Sequence, residues 1–208
     1  MDKSDIQETL VSLYLRLNGY FVSSFIVHAV HGVGTEIDIL AIRFPRHAEP
    51  EREVQPCEHL AIPPGCVDFI VGEVKRGLKN VNFNEPFRKN RKKICTVLRR
   101  FGAFCDAEIE RVCTAVPGLL EPANVSRSAT FPELDVALAG DVGMQAKLRF
   151  VPFAAEQCRP ATRARPYVFE DDLLAFVWKC FRPEHQRPCS DVHYDYDLWG
   201  PQFEVAAM

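Results

Sequence analysis

Three ionisable residues stand inside two runs that are otherwise mainly apolar. Asp38 lies in Gly34-Thr35-Glu36-Ile37-Asp38-Ile39-Leu40-Ala41, and Glu73 and Lys75 lie in Val71-Gly72-Glu73-Val74-Lys75-Arg76. A charge withdrawn from water is costly unless it is paired or bound to a metal. Two carboxylates and a lysine on apolar strands therefore point to a divalent-cation site, and to hydrolysis of a phosphodiester as its chemistry.

Side chains alternate across a strand, so Glu73 and Lys75 share one face while Val74 turns to the other and anchors the strand. The Val74 carbonyl remains available to a metal beside Glu73. With Asp38 on a neighbouring strand, its carboxylate can share that metal. Hard oxygen donors of this kind suit Mg²⁺ or Mn²⁺, with water and phosphate completing the octahedron. Lys75 is expected to orient or deprotonate the attacking water and to offset charge on the pentavalent transition state. Glu8, on the first helix, is the fourth candidate, reaching the site directly or through water. Glu36 alternates with Asp38 and is at most a supporting acid. Each residue taken singly reads as structural: Asp38 as a capping acid, Glu73 and Lys75 as an exposed ion pair of little energetic value. Their occurrence together and in order favours catalysis.

The elements that must position them follow from periodicity. Residues 5–18 carry Ile6, Leu10, Leu13 and Leu17 at helical spacing and stop at Asn18-Gly19. Residues 20–27, 36–44 and 68–75 read as three strands in an antiparallel meander. Between the last two, residues 45–65 form a proline-rich excursion. Residues 84–101 predict a basic helix, 109–116 and 145–153 two later strands, and 170–181 a last apolar helix in which Trp178 and Phe181 are expected in the core. Asp68 is expected at a turn. The whole is an α/β domain, a central mixed β-sheet flanked by helices, over residues 1–208 as one unit.

The net charge of −3 does not mark a nucleic-acid binder, but its distribution does. From Lys75 to Arg100 there are ten basic residues against the single acid Glu85, a local charge of +9. Arg76, Lys79, Arg88, Lys89, Lys92 and Lys93 are the candidate phosphate contacts. A solvated helix face is the plainer alternative, with nearly equal weight for Arg76 and Lys79. His28 and His31 are expected as turn residues near the mouth of the site.

These features resemble the PD-(D/E)XK nuclease superfamily, the restriction-endonuclease-like fold. The resemblance covers roughly residues 5–101, and rests on the Glu-bearing first helix, Asn18-Gly19-Tyr20-Phe21-Val22, Gly34-Thr35-Glu36-Ile37-Asp38-Ile39-Leu40-Ala41 and Gly72-Glu73-Val74-Lys75-Arg76. It implies an αβββαβ core extending to about residue 116, metal binding by Asp38 and Glu73, a catalytic Lys75 and an assisting Glu8. The arrangement is most similar to the Holliday-junction-resolvase-type branch and to the branches of small nuclease-like proteins. Two departures stand out: the long gap filled by residues 45–65, and Ile37 where the family usually has proline. The C-terminal part, residues 145–208, carries no motif of the family.

The function expected is a Mg²⁺-dependent endonuclease acting on DNA, in repair, recombination or phage defence. The alternative is a catalytically inactive nucleic-acid-binding or assembly module that keeps the fold. RNA cleavage by the same metal site is a third reading. Relatives that cut both strands work as dimers, and defence nucleases often need an activator, so the implied partners are DNA, a second copy and a protein activator. The acidic-aromatic stretch 191–199 is expected to contact a partner or fold back on the basic helix. No signal-peptide pattern or bilayer-length apolar run occurs, so a cytoplasmic location without membrane contact is expected. The eight cysteines contain no CxxC pair, and most are expected to be reduced, buried small hydrophobes. The alternative is zinc bound through Cys57, His59 and Cys66 or through His185, Cys189 and His193, although neither set matches a standard ligand spacing well.

Overall fold

A computed structural model describes residues 3–27, 35–48, 54–75, 83–121, 130–140, 144–155 and 167–181. Arg76, Lys79, His28, His31 and the stretch 191–199 lie outside the described residues.

Helix α1 (Lys3–Leu17) ends where Gly19 takes φ +84°, a left-handed conformation that glycine adopts at no steric cost. Strands β1 (Phe21–Val27), β2 (Thr35–Arg43) and β3 (Val67–Lys75) follow as an antiparallel meander. Two helices, α2 (Glu85–Lys89) and α3 (Arg91–Phe101), replace the single basic helix read from sequence, because the chain turns extended at Asn90. Helix α4 spans Asp106–Leu119, strand β4 Glu133–Val136, strand β5 Ala146–Ala154, strand β6 Val168–Phe169 and helix α5 Glu170–Phe181.

The sheet runs β1-β2-β3-β5-β4, with β6 beside the far end of β5. Strand β5 is parallel to β3 along its whole length and to β6, and antiparallel to β4, so the sheet is mixed. Pro152 is tolerated inside β5 for a local reason. The Phe150 N–H points to the β4 side, toward the Pro132 carbonyl, and residue 152 shares that side by alternation. There the missing N–H falls between the end of β4 pairing at Arg149 and the start of β6 pairing at Phe153.

Each face of the sheet carries its own core. Helices α1 and α5 pack on one face through Leu13, Tyr14, Phe176 and Val177, against Ile39, Ile70 and Phe153. Helices α2, α3 and α4 cover the other through Phe87, Ile94, Leu98, Val112 and Val116, against Phe69, Val71 and Phe150. Residues 109–116, expected as a strand, belong to α4. Its β-branched residues invite a strand assignment, yet Ile109, Val112, Cys113 and Val116 recur at helical spacing and are all buried. Trp178, expected in the core, is 60% exposed on α5 one turn after the exposed Leu174. Phe181 is half-buried against the α1–α5 core. Cys95 of α3 and Cys113 of α4 face each other with Cα atoms 5.7 Å apart, close enough for a disulfide, whereas Cys57, Cys66, Cys105 and Cys180 are free.

Asp68 is no turn residue. It is buried at the start of β3, where it pairs with the buried Arg149 of β5 and accepts from the Tyr20 hydroxyl. Arg149 Nη1 also donates to the Leu60 carbonyl at 2.7 Å, and the Cys57 N–H donates to Asn18 Oδ1 at 2.7 Å. Those bonds, with the buried Leu60, fasten residues 57–60 of the proline-rich excursion to the α1 side of the sheet. No helix among the described residues is long and apolar enough to cross a membrane.

Candidate functional site

The far end of β3 brings Asp38, Glu73 and Lys75 together. Phe69 and Val71 enter the α3–α4 core, so alternation carries Glu73 and Lys75 onto that same face. Val74 packs against the opposite core.

Asp38 is re-aimed by a break in strand register. Between Ser23 and Phe25, β1 advances by two residues while its partners on β2 run from Leu40 to Ile37, three residues. The extra β2 residue falls at Asp38–Ile39, a β-bulge, and bulges turn side chains from their regular direction. Burial records the shift. Ile37 joins the α3–α4 core, whereas Ile39 and Ala41, which would share its face in a regular strand, join the α1–α5 core.

From the bulge, Asp38 Oδ2 accepts a hydrogen bond from the Val74 N–H at 2.6 Å. The two strands come close because Gly72 faces Ile39. A Cβ built on Gly72 would lie 2.9 Å from Ile39 Cβ and 3.1 Å from Phe153 Cε2. Glycine in this strand thus reflects close backbone approach rather than an unusual dihedral.

Glu73 is 1% exposed. Its Oε1 accepts from Lys75 Nζ at 2.5 Å, and its buried Oε2 has no hydrogen-bond partner among the described residues. Burial first, and the nearby Asp38 carboxylate second, push the Glu73 carboxyl from 4.5 up to about 7. The Lys75 ammonium and the Asn84 main chain pull the other way without offsetting this. Lys75, whose side chain is 22% exposed, reaches outward from that pair, and its Nζ donates to Asn84 Oδ1 at 2.8 Å.

Asn84 was not read from the sequence as part of the site. The usable signal was its type and place, an asparagine directly before a helix start. Glu8 is half-buried on α1, which packs on the other face of the sheet. The Glu36 side chain lies outside the described residues, though its main chain pairs with Ile26.

The basic surface is narrower than the sequence suggested. Lys92 is exposed on α3, whereas Lys93 is buried, with 9% of its surface exposed. Lys89 pairs with Glu85 at 2.6 Å, Arg91 with Glu110 and Arg99 with Asp106. Arg88 turns inward to the Phe83 carbonyl at 2.8 Å.

Two carboxylates, one orphaned buried oxygen and hard donors suit a divalent oxygen-seeking cation. Among the described residues, no group of three or more His, Cys, Asp or Glu side chains is placed to hold a metal. Comparison with family models, with curated proteins and with solved structures gives no match.

Proposed function

We propose that the chain is a divalent-metal-dependent endonuclease of the PD-(D/E)XK, restriction-endonuclease-like type, hydrolysing phosphodiester bonds in DNA. One observation carries the reading: a nearly fully buried glutamate keeps an unpartnered oxygen beside a second carboxylate and is capped by a lysine two residues on. A purely structural ion pair would satisfy both carboxylate oxygens or leave Glu73 exposed. The order of a helix, an antiparallel three-strand meander, helices and a strand parallel to β3 supports the same family reading.

Asp38 and Glu73 would hold Mg²⁺ or Mn²⁺, and the ion when bound would polarise the scissile phosphate and acidify a water. Glu73 must give up its proton to ligate, so its raised pKa makes occupation depend on pH near neutrality. The Asp38–Val74 bond fixes one carboxylate against the strand that bears the other. Lys75, held by Glu73 and Asn84, presents its ammonium where it can orient the attacking water and offset charge on the phosphorane. Lys92 on α3 would face the phosphate backbone.

A second reading keeps the fold without turnover, as a nucleic-acid-binding or assembly module. The exposed Lys92 of α3 serves phosphate binding with or without turnover. Calorimetric titration with Mn²⁺ separates the two. Stoichiometric binding that is lost in Glu73→Gln supports the nuclease, and no binding at pH 8 supports the module.

A further inference from the structure

Resting on the reading of Lys75 as the catalytic lysine, we infer that Asn84 is its positioning residue, a polar arm at the start of α2 that fixes where the ammonium points. Two asparagines stand at helix starts in this region, and they behave differently. Asn90 does what asparagine does at an N-cap: its side chain accepts from the Lys93 N–H at 3.3 Å. Asn84 occupies the equivalent place before α2, and its carbonyl accepts from the Phe87 and Arg88 N–H groups at 3.0 Å each. Its side chain, however, makes no cap bond and is turned onto Lys75 instead. The helix start forgoes its cap in favour of the site.

Asn84 stands on a platform of buried aromatic rings. Phe83 and Phe87 on either side are buried and meet at a tilt with centroids 5.7 Å apart, and Phe83 meets Phe150 of β5 edge-on at 5.6 Å. The chemistry also matches. An ammonium only donates, so the amide oxygen must face it, and a neutral acceptor orients the cation without cancelling its charge. Of the three Lys75 donors, one goes to Glu73 and one to Asn84, which leaves one for a water or a phosphate oxygen. Without Asn84, the flexible lysine stem is constrained only by the carboxylate it would otherwise collapse onto.

The test compares Asn84→Ala and Asn84→Ser with wild type. Serine can cap α2 but is too short to reach Lys75, so it preserves the helix start while breaking the contact. Asn90→Ala is the control for loss of a cap alone. The first readout needs no turnover: the ¹⁵N-detected ammonium signal of Lys75, observed cold in metal-free protein. Wild type and Asn90→Ala are expected to show a protected signal, and both Asn84 variants a signal broadened by exchange. The second readout is cleavage. Both Asn84 variants are expected to lower kcat about 10–100-fold with KM unchanged, and Lys75→Ala/Asn84→Ser is expected to be no slower than Lys75→Ala. An ammonium signal unchanged in Asn84→Ser overturns the inference, whatever the activity. Additive losses in the double variant overturn it as well. Wild type that cleaves nothing while the signal still responds to Asn84 removes the nuclease reading and leaves the positioning contact standing.

Discussion

Asp38 on β2 is tied to Val74 on β3 by a 2.6 Å hydrogen bond from the Val74 N–H to Oδ2, between the two residues, Glu73 and Lys75, that face the site. The tie exists because a bulge at Asp38–Ile39 frees the aspartate from the regular alternation of its strand. A carboxylate placed by main-chain geometry on two strands is held far more firmly than one on a loop, which is what a shared cation between Asp38 and Glu73 requires.

Removal of either carboxylate should therefore abolish metal binding while the fold survives. Asp38→Ala and Glu73→Gln are each expected to lower cleavage by about 100-fold or more, and Lys75→Ala by a similar factor without loss of metal. Parallel titrations with Mn²⁺ and circular dichroism would check this pattern. Lys75→Ala losing the metal as completely as Asp38→Ala would show the roles to be misassigned.

The raised Glu73 pKa makes a signed prediction for stability. Unfolded, the carboxyl titrates near 4.5, and folded near 7. Between these values the folded chain retains a proton that the unfolded chain has lost, so stability falls as pH rises through that window. The contribution is fully present below 4.5 and gone above 7. In metal-free urea unfolding, Glu73→Gln should remove this slope and gain on wild type by up to about 3 kcal/mol at pH 8. Mn²⁺ should narrow the gap, because it binds the ionised form. Unfolding curves that run parallel from pH 4.5 to 8 would refute the burial argument.

Gly72→Ala tests the close approach of β2 and β3. The added methyl meets Ile39 Cβ at 2.9 Å, an atom tied to its own backbone, so the strands must part. A loss of about 1–3 kcal/mol is expected from overpacking. Cleavage should fall more steeply than stability alone would explain, because Glu73 adjoins the shifted residue. Unaltered melting temperature and activity would mean the strands separate freely.

At the other end of β3, Arg149 and Asp68 form a buried pair with Tyr20, and Arg149 also holds the Leu60 carbonyl. Arg149→Ala leaves Asp68 buried and unpaired, which should cost about 3–5 kcal/mol. Proteolysis near residues 54–60 should become faster in the same variant, since that segment loses its carbonyl partner. Arg149→Ala without either change would show the segment to be fastened by Leu60 packing alone.

The meander and its acidic positions are legible because the strands are apolar runs conspicuously interrupted by charge. Asp68 was misread as a turn residue because its partner, Arg149, lies 81 residues away and nothing local signals the pair. Residues 109–116 of the helix at Asp106–Leu119 read as a strand because Ile109, Val112 and Val116 have high strand propensity, although their spacing is helical. The division of the basic helix at Asn90 and the role of Asn84 needed the structure, since asparagine marks a cap far more often than a lysine partner. The bulge at Asp38 leaves no trace in sequence at all: it is a mismatch between two strands, visible only once they are paired.

Cleavage of a nucleic-acid panel tests the central claim most directly. The panel holds supercoiled plasmid, linear duplex, single strand, branched junction and RNA, each with Mg²⁺, Mn²⁺ or EDTA. Wild type would be run beside Asp38→Ala and Lys75→Ala. Metal-dependent cutting of a DNA substrate by wild type is expected, abolished by EDTA and by both substitutions. Equal cutting by wild type and both variants, or cutting that persists in EDTA, would contradict it.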